Sequence, residues 1–75
     1  MKTLEFKDLK RIADTVTYDN GFTTFYVDVN LANIKFLLLR EILALKSYMI
    51  TFEGDWDEDT IVFNTDVPAD VFENL

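Results

Sequence analysis

The chain has 75 residues, with 14 Asp and Glu against seven Lys and Arg, a net charge of −7. Hydrophobic residues make up 49% and aromatics 15%, with only two Gly and one Pro, which excludes a disordered chain and indicates one domain over residues 1–75. Cys and His are both absent, which excludes a disulfide framework, zinc sites of His and Cys, and the usual Ser-His-Asp and Cys-His nucleophile arrangements.

The first periodic region runs from Leu4 to about Asp14. On a helical wheel Phe6, Leu9, Ile12, Ala13 and Val16 fall in one arc, with Lys7, Lys10, Arg11 and Asp14 largely opposite. This predicts an amphipathic helix with Thr3 as a candidate N-cap. The alternation of Leu4 and Phe6 with charge also fits a short strand over Met1 to Phe6. Next comes Asn20-Gly21, the pair that a two-residue type I′ hairpin turn prefers. That turn pairs Asp19 with Phe22, Tyr18 with Thr23 and Val16 with Phe25. It then places Val16, Tyr18, Thr23, Phe25, Val27 and Val29 on one face, apolar apart from Thr23.

A second helix is expected from about Leu31 to Lys46, capped by Asn30. Its main apolar stripe is Leu31, Ile34, Leu38, Ile42 and Leu45, which would cover a sheet. A second stripe of Ala32, Phe36, Leu39 and Leu43 is expected to be buried against Phe6, Leu9 and Ile12 of the first helix, the alternative being a subunit contact. Lys35 and Lys46 lie at the boundary between the stripes, where their stems can pack while their ammonium groups reach out. A second hairpin follows, from Tyr48 to Glu53 and from Thr60 to Asn64, both rich in aromatic and β-branched residues. Gly54 to Asp59 form its loop. Thr65-Asp66-Val67-Pro68 reads as the start of a short helix carrying Val71, Phe72 and Leu75. The fold class is therefore α+β, with a mostly antiparallel four-stranded sheet of two hairpins packed on a long central helix, an N-terminal helix and a short C-terminal helix.

The acids are distributed unevenly. Ser47 to Leu75 hold eight acids and no Lys or Arg, whereas Met1 to Lys46 have a balance of +1. Five acids fall within Glu53 to Asp59, with Trp56 at their centre. A field of this sign repels nucleic acid and lipid head groups and attracts basic protein surfaces or cations. The small basic patch of Lys7, Lys10 and Arg11 reads as a solvated helix face, and no base lies among the aromatic strands, so direct nucleic-acid binding is not expected. The longest apolar run, Phe36 to Leu39, is far short of a membrane span, and the N-terminus lacks an apolar signal core. An intracellular, cytoplasmic location is expected, with no membrane partner.

Asp55, Asp57 and Asp59 have the 1, 3, 5 spacing of a calcium loop, with Val62 and Asp66 at positions 8 and 12. Thr60 replaces the turn glycine, however, Asp66 replaces the bidentate Glu, and a strand follows, so no metal is expected. No Gly-rich phosphate loop exists, and the carboxylates lack an apolar pocket that would raise one pKa, so neither a cofactor nor an enzymatic activity is expected.

Two functions remain. In the first, carboxylates on a strand pair imitate a polyanion and occupy the Lys/Arg groove of a nuclease or another nucleic-acid-binding protein. The partner-binding residues would be Glu53, Asp55, Trp56, Asp57, Glu58 and Asp59, extended by Asp66, Asp70 and Glu73, with Trp56 as interface anchor or as core. In size, acidity and lack of catalytic groups the chain resembles the small inhibitors that phages deploy against host nucleases, including restriction and CRISPR effectors. That likeness covers no defined stretch and transfers no residues; it implies a viral inhibitor at work in a host cytoplasm. In the second, the chain is a structural or assembly protein that forms a homodimer through apolar helix surface, and the acidic loop only solubilises it.

Overall fold

The computed structural model describes residues 3–75, and the first two residues of the strand alternative over Met1 to Phe6 lie outside that range. In chain order the elements are α1 (Asp8–Ile12), β1 (Thr15–Asp19), β2 (Phe22–Asp28), a 3-10 turn (Val29–Leu31), α2 (Ala32–Ala44), β3 (Ile50–Asp55), β4 (Thr60–Pro68) and α3 (Ala69–Glu73). The fold is α+β, with three helices and one antiparallel sheet in the order β1-β2-β4-β3. The two hairpins therefore meet through β2 and β4. Among the described residues no helix is long and apolar enough to cross a membrane.

The first hairpin has the register expected from its turn, with Asp19 opposite Phe22, Tyr18 opposite Thr23 and Val16 opposite Phe25. Asn20 and Gly21 both have positive φ, +53° and +83°, as a type I′ turn requires. Val29 does not continue the strand face; it begins the 3-10 turn. The second hairpin pairs Phe52 with Phe63, and a bulge at Glu53 brings Gly54 opposite Val62. Its return strand is longer than expected, because Thr65 to Pro68 extend β4 instead of starting a helix. The cause is long-range pairing: Thr65 lies opposite Ile50, and Pro68 lies opposite Phe22. The Val67 carbonyl also accepts a hydrogen bond from the Thr23 hydroxyl at 3.0 Å.

All three helices differ in extent from expectation. The first is only five residues long. Thr3 does not cap it; instead the Asp8 carboxylate turns back to accept the Glu5 N–H at 2.9 Å. It stops at Ile12 because Thr15-Val16-Thr17, a β-branched run, is committed to β1, so Val16 belongs to the sheet. The second is 13 residues and has no side-chain cap: Asn30 does not cap it, and Asp28 accepts the Asn30 N–H at 2.8 Å as the cap of the 3-10 turn before α2. α2 closes at Ser47, whose φ of +63° lets the Tyr48 N–H reach the Leu43 carbonyl at 3.0 Å. The third, α3, begins four residues later than Thr65.

α2 turns neither stripe inward as a whole: Ile42 and the half-buried Leu38 of the expected sheet-covering stripe pack in the core together with Leu39 and Leu43 of the second. Leu39, Ile42 and Leu43 are buried in the core cluster with Leu9, Ile12, Phe25, Val27, Phe63, Val67 and Phe72. Leu31, Ile34 and Leu45, assigned to the sheet-covering stripe, are exposed, as is Leu37 at 61%. Phe36 is half-buried, with its ring 5.1 Å from that of Phe63 on the sheet, not against the first helix. α1 lies along the other flank of α2, where the Lys35 ammonium donates to the Ile12 carbonyl at 2.6 Å and lies 3.4 Å from Asp14. Lys46 places its ammonium 5.7 Å from the centre of the Phe6 ring. The molecule measures 33 × 32 × 17 Å. The short dimension is that of one sheet and one helix layer, so one face of the sheet is left open.

Candidate functional site: the open face of the sheet

Alternation divides each strand between two faces. Val16, Tyr18, Thr23, Phe25, Val27, Ile61 and Phe63 share the helix side. Thr15, Thr17, Asp19, Thr24, Tyr26, Asp28, Thr60, Val62 and Asn64 share the open side. The centre of this open side is uncharged: the Thr24 hydroxyl donates to the Asn64 side-chain oxygen across the strands at 3.2 Å, and Thr24 and the apolar Val62 are buried among their neighbours. Its two ends are acidic. At one end Asp19 and Asp66 flank a shallow cleft with Met49 and Thr51. At the other, Asp14, Asp28, Asp57 and Asp59 surround Tyr26, Trp56 and Leu31. Thr60 and Asp66 are six residues apart on β4, which separates the two ends by roughly 20 Å.

No strand contains a Lys or Arg. Six bases, Lys7, Lys10, Arg11, Lys35, Arg40 and Lys46, lie in or beside α1 and α2, and Lys2 lies outside the described residues. The ion pairs among the described residues are Lys7–Glu5 at 3.2 Å, Arg11–Asp8 at 3.4 Å and Lys35–Asp14 at 3.4 Å. All three draw on acids of the N-terminal segment. Among the described residues, none of the eight acids after Ser47 is in an ion pair, so their field reaches solvent uncompensated by those bases.

The loop between β3 and β4 is built by its own polar groups. The Trp56 N–H donates to the Thr60 carbonyl at 2.8 Å, and Asp57 accepts the Asp59 N–H at 2.8 Å as an Asx turn. The Val29 N–H donates to the Asp59 carbonyl at 2.7 Å. This last bond ties the loop to the start of the 3-10 turn and so brings Asp28 into the company of Asp57 and Asp59. Trp56 is 65% exposed and is not core. Its ring meets that of Tyr26 edge to face, with centroids 5.2 Å apart and planes at 88°.

The nine residues expected to bind a partner are thus distributed over several places. Trp56, Asp57 and Asp59 border the open face, and Glu58 stands in the same loop. Glu53 sits at the bulge of the edge strand β3, and Asp55 pairs with Ile61, whose side chain is on the helix side. Asp66 is at the far end of the open face, where it accepts the Met49 N–H at 2.8 Å. The extension of β4 from Thr60 carries Asp66 away from Asp57 and Asp59. Asp70 and Glu73 lie on α3, whose Phe72 packs on Phe25 and Tyr18 across the helix side. There the Glu73 carbonyl accepts from Lys10 at 3.1 Å. The Tyr18 hydroxyl is raised above its ordinary pKa, first by burial and then by the nearby Glu73 carboxylate. Asp19, Asp28 and Tyr26 were missed from sequence. Their signal was the outward-facing strand positions, which contain acids, hydroxyls and an aromatic but no base.

Comparison of the chain with protein-family models, with curated proteins and with solved structures found no match.

Proposed function

We propose that the chain is a non-enzymatic acidic protein-binding module, an inhibitor or adaptor that presents the open face of its sheet to a basic protein surface. The polyanion mimicry expected from the sequence would then be carried by the face as well as by the loop, competing for the Lys/Arg groove of a nuclease or another nucleic-acid-binding protein. One observation carries this proposal: acids border both ends of the open face without a base among its strands, while the described bases lie in the helix layer. Such an arrangement gives the molecule a direction. A basic partner is steered to the open side, because the acids of the helix layer are offset by its bases.

The test is affinity capture at low and high salt, followed by purification of the captured protein and measurement of its affinity. Binding should weaken with salt, because exposed charges are screened beyond about 8 Å at physiological ionic strength. Asp28→Asn, Asp57→Asn and Asp59→Asn together should weaken it at least about threefold, from the roughly 0.2–1 kcal/mol of each exposed charge pair. Asp70→Asn with Glu73→Gln should leave it unchanged. Equal affinity for the first variant and the wild type would overturn the proposal.

A second function has its own observation. Ile34 and Leu37 on α2 and Leu45 just after it are more than half exposed, and Phe52 on the edge strand is too. Self-association through this apolar surface would leave the acidic face free on the opposite side. Sedimentation over a range of concentrations tests it, and a strict monomer would remove it.

A further inference from the structure

We propose, building on the acidic-module reading, that the cleft at the Trp56 end of the open face seats the guanidinium of a single arginine side chain of the partner protein. Three features converge there. The perpendicular rings of Tyr26 and Trp56 form a corner of two aromatic planes. Asp28, Asp57 and Asp59 line the same cleft without a basic partner of their own. Leu31, 45% exposed on the cleft wall, offers apolar surface for an aliphatic stem.

The carboxylates are oriented in advance. One oxygen of Asp28 holds the Asn30 N–H, and one oxygen of Asp57 holds the Asp59 N–H, each at 2.8 Å. The second oxygen of each is left to accept from a ligand. Lys35 pairs with Asp14 at the rim of the cleft and donates to the Ile12 carbonyl, and it is not itself among the residues that line the cleft.

The charge fixes the sign of the occupant, and the rings select its shape. An anion is repelled by the carboxylates. A neutral apolar side chain would leave them desolvated and unpaired. A hydrated metal ion would gain nothing from the indole. A guanidinium uses all the groups at once: its flat face stacks on an aromatic ring, its edge donates paired N–H groups to carboxylates, and its weak hydration makes it easier to bury than an ammonium.

The probes are three synthetic peptides, an Arg-Gly repeat and the same repeat with lysine or with the neutral isostere citrulline. They are titrated calorimetrically into the full chain, and the fluorescence of Trp56, the only tryptophan, reports on the cleft. The arginine peptide should bind saturably and change the Trp56 emission, the lysine peptide should bind at least about fivefold more weakly, and the citrulline peptide should not bind. Trp56→Leu, a change at an exposed loop position, should lower arginine-peptide affinity about fivefold to tenfold and leave lysine-peptide affinity nearly unchanged. Tyr26→Leu should act in the same direction. Arginine and lysine peptides that bind alike, with Trp56→Leu without effect, would overturn the arginine seat while leaving the acidic module standing. Absence of peptide binding while a basic partner is still captured would overturn it too. Failure of salt-dependent capture together with failure of all three peptides would overturn both.

Discussion

Leu39 and Leu37 are two residues apart on α2, yet they stand in opposite environments. Leu39 is fully buried in the core cluster and Leu37 is 61% exposed, so truncation of the two to alanine measures which way the helix is turned. Removing a buried leucine side chain costs its transfer free energy plus the cavity left behind, about 3 kcal/mol for Leu39→Ala. A domain of this length has a total stability on the order of 4–11 kcal/mol, so the loss is a large share of it. Leu37→Ala removes surface that is already in water and should stay within about 0.5 kcal/mol. Urea denaturation followed by circular dichroism reads both. With a slope of about 1 kcal/mol per molar for so small a chain, the midpoint should fall by about 3 M for Leu39→Ala and scarcely move for Leu37→Ala. Equal losses, or a larger loss at Leu37, would show that α2 is turned differently against the sheet and would refute the reasoning.

Two further predictions follow from particular backbone and side-chain positions. Ser47→Gly should stabilise the chain by about 0.5–1 kcal/mol, because glycine occupies the positive φ at the end of α2 without the strain of a β-carbon, and urea denaturation would detect it. The raised pKa of Tyr18 means that the folded state holds this proton more tightly than the unfolded state does. The corresponding stability is fully present below about pH 10 and is lost as the pH rises through the folded value. Denaturation midpoints between about pH 9 and 11 should therefore fall more for the wild type than for Tyr18→Phe, and parallel curves would count against it.

The parts of the fold that were legible in the sequence are those written in local chemistry. Asn20-Gly21 set both the turn and the register of the first hairpin, because a type I′ turn with positive φ at both positions matches the twist of the strands it joins. What was not legible depended on long-range partners. The extension of β4 through Pro68 required Ile50 and Phe22 as neighbours, and neither is close in sequence. The inward face of α2 takes Leu38 and Ile42 from one stripe and Leu39 and Leu43 from the other, and it was undecidable from periodicity, since both stripes are apolar and only the position of Phe63 and of α1 selects it. The candidate site shows the same division. The acidic loop is a contiguous run and was visible at once, together with Trp56. Asp28 and Tyr26 lie some thirty residues away in sequence, about the loop-to-β2 separation, and join the site through strand register and the Val29–Asp59 hydrogen bond. Conversely, Asp70 and Glu73 were grouped with the loop by charge alone, and the packing of Phe72 carries them to the other layer.

The most direct test of the acidic open face is a map of backbone amide chemical shifts as the chain is titrated with its purified basic partner. The expected perturbations fall on Thr17, Thr24, Tyr26, Trp56, Asp57 and Thr60, with Ile34, Leu37 and Arg40 on α2 unaffected. Perturbations confined to α2, with the open face silent, would contradict the account.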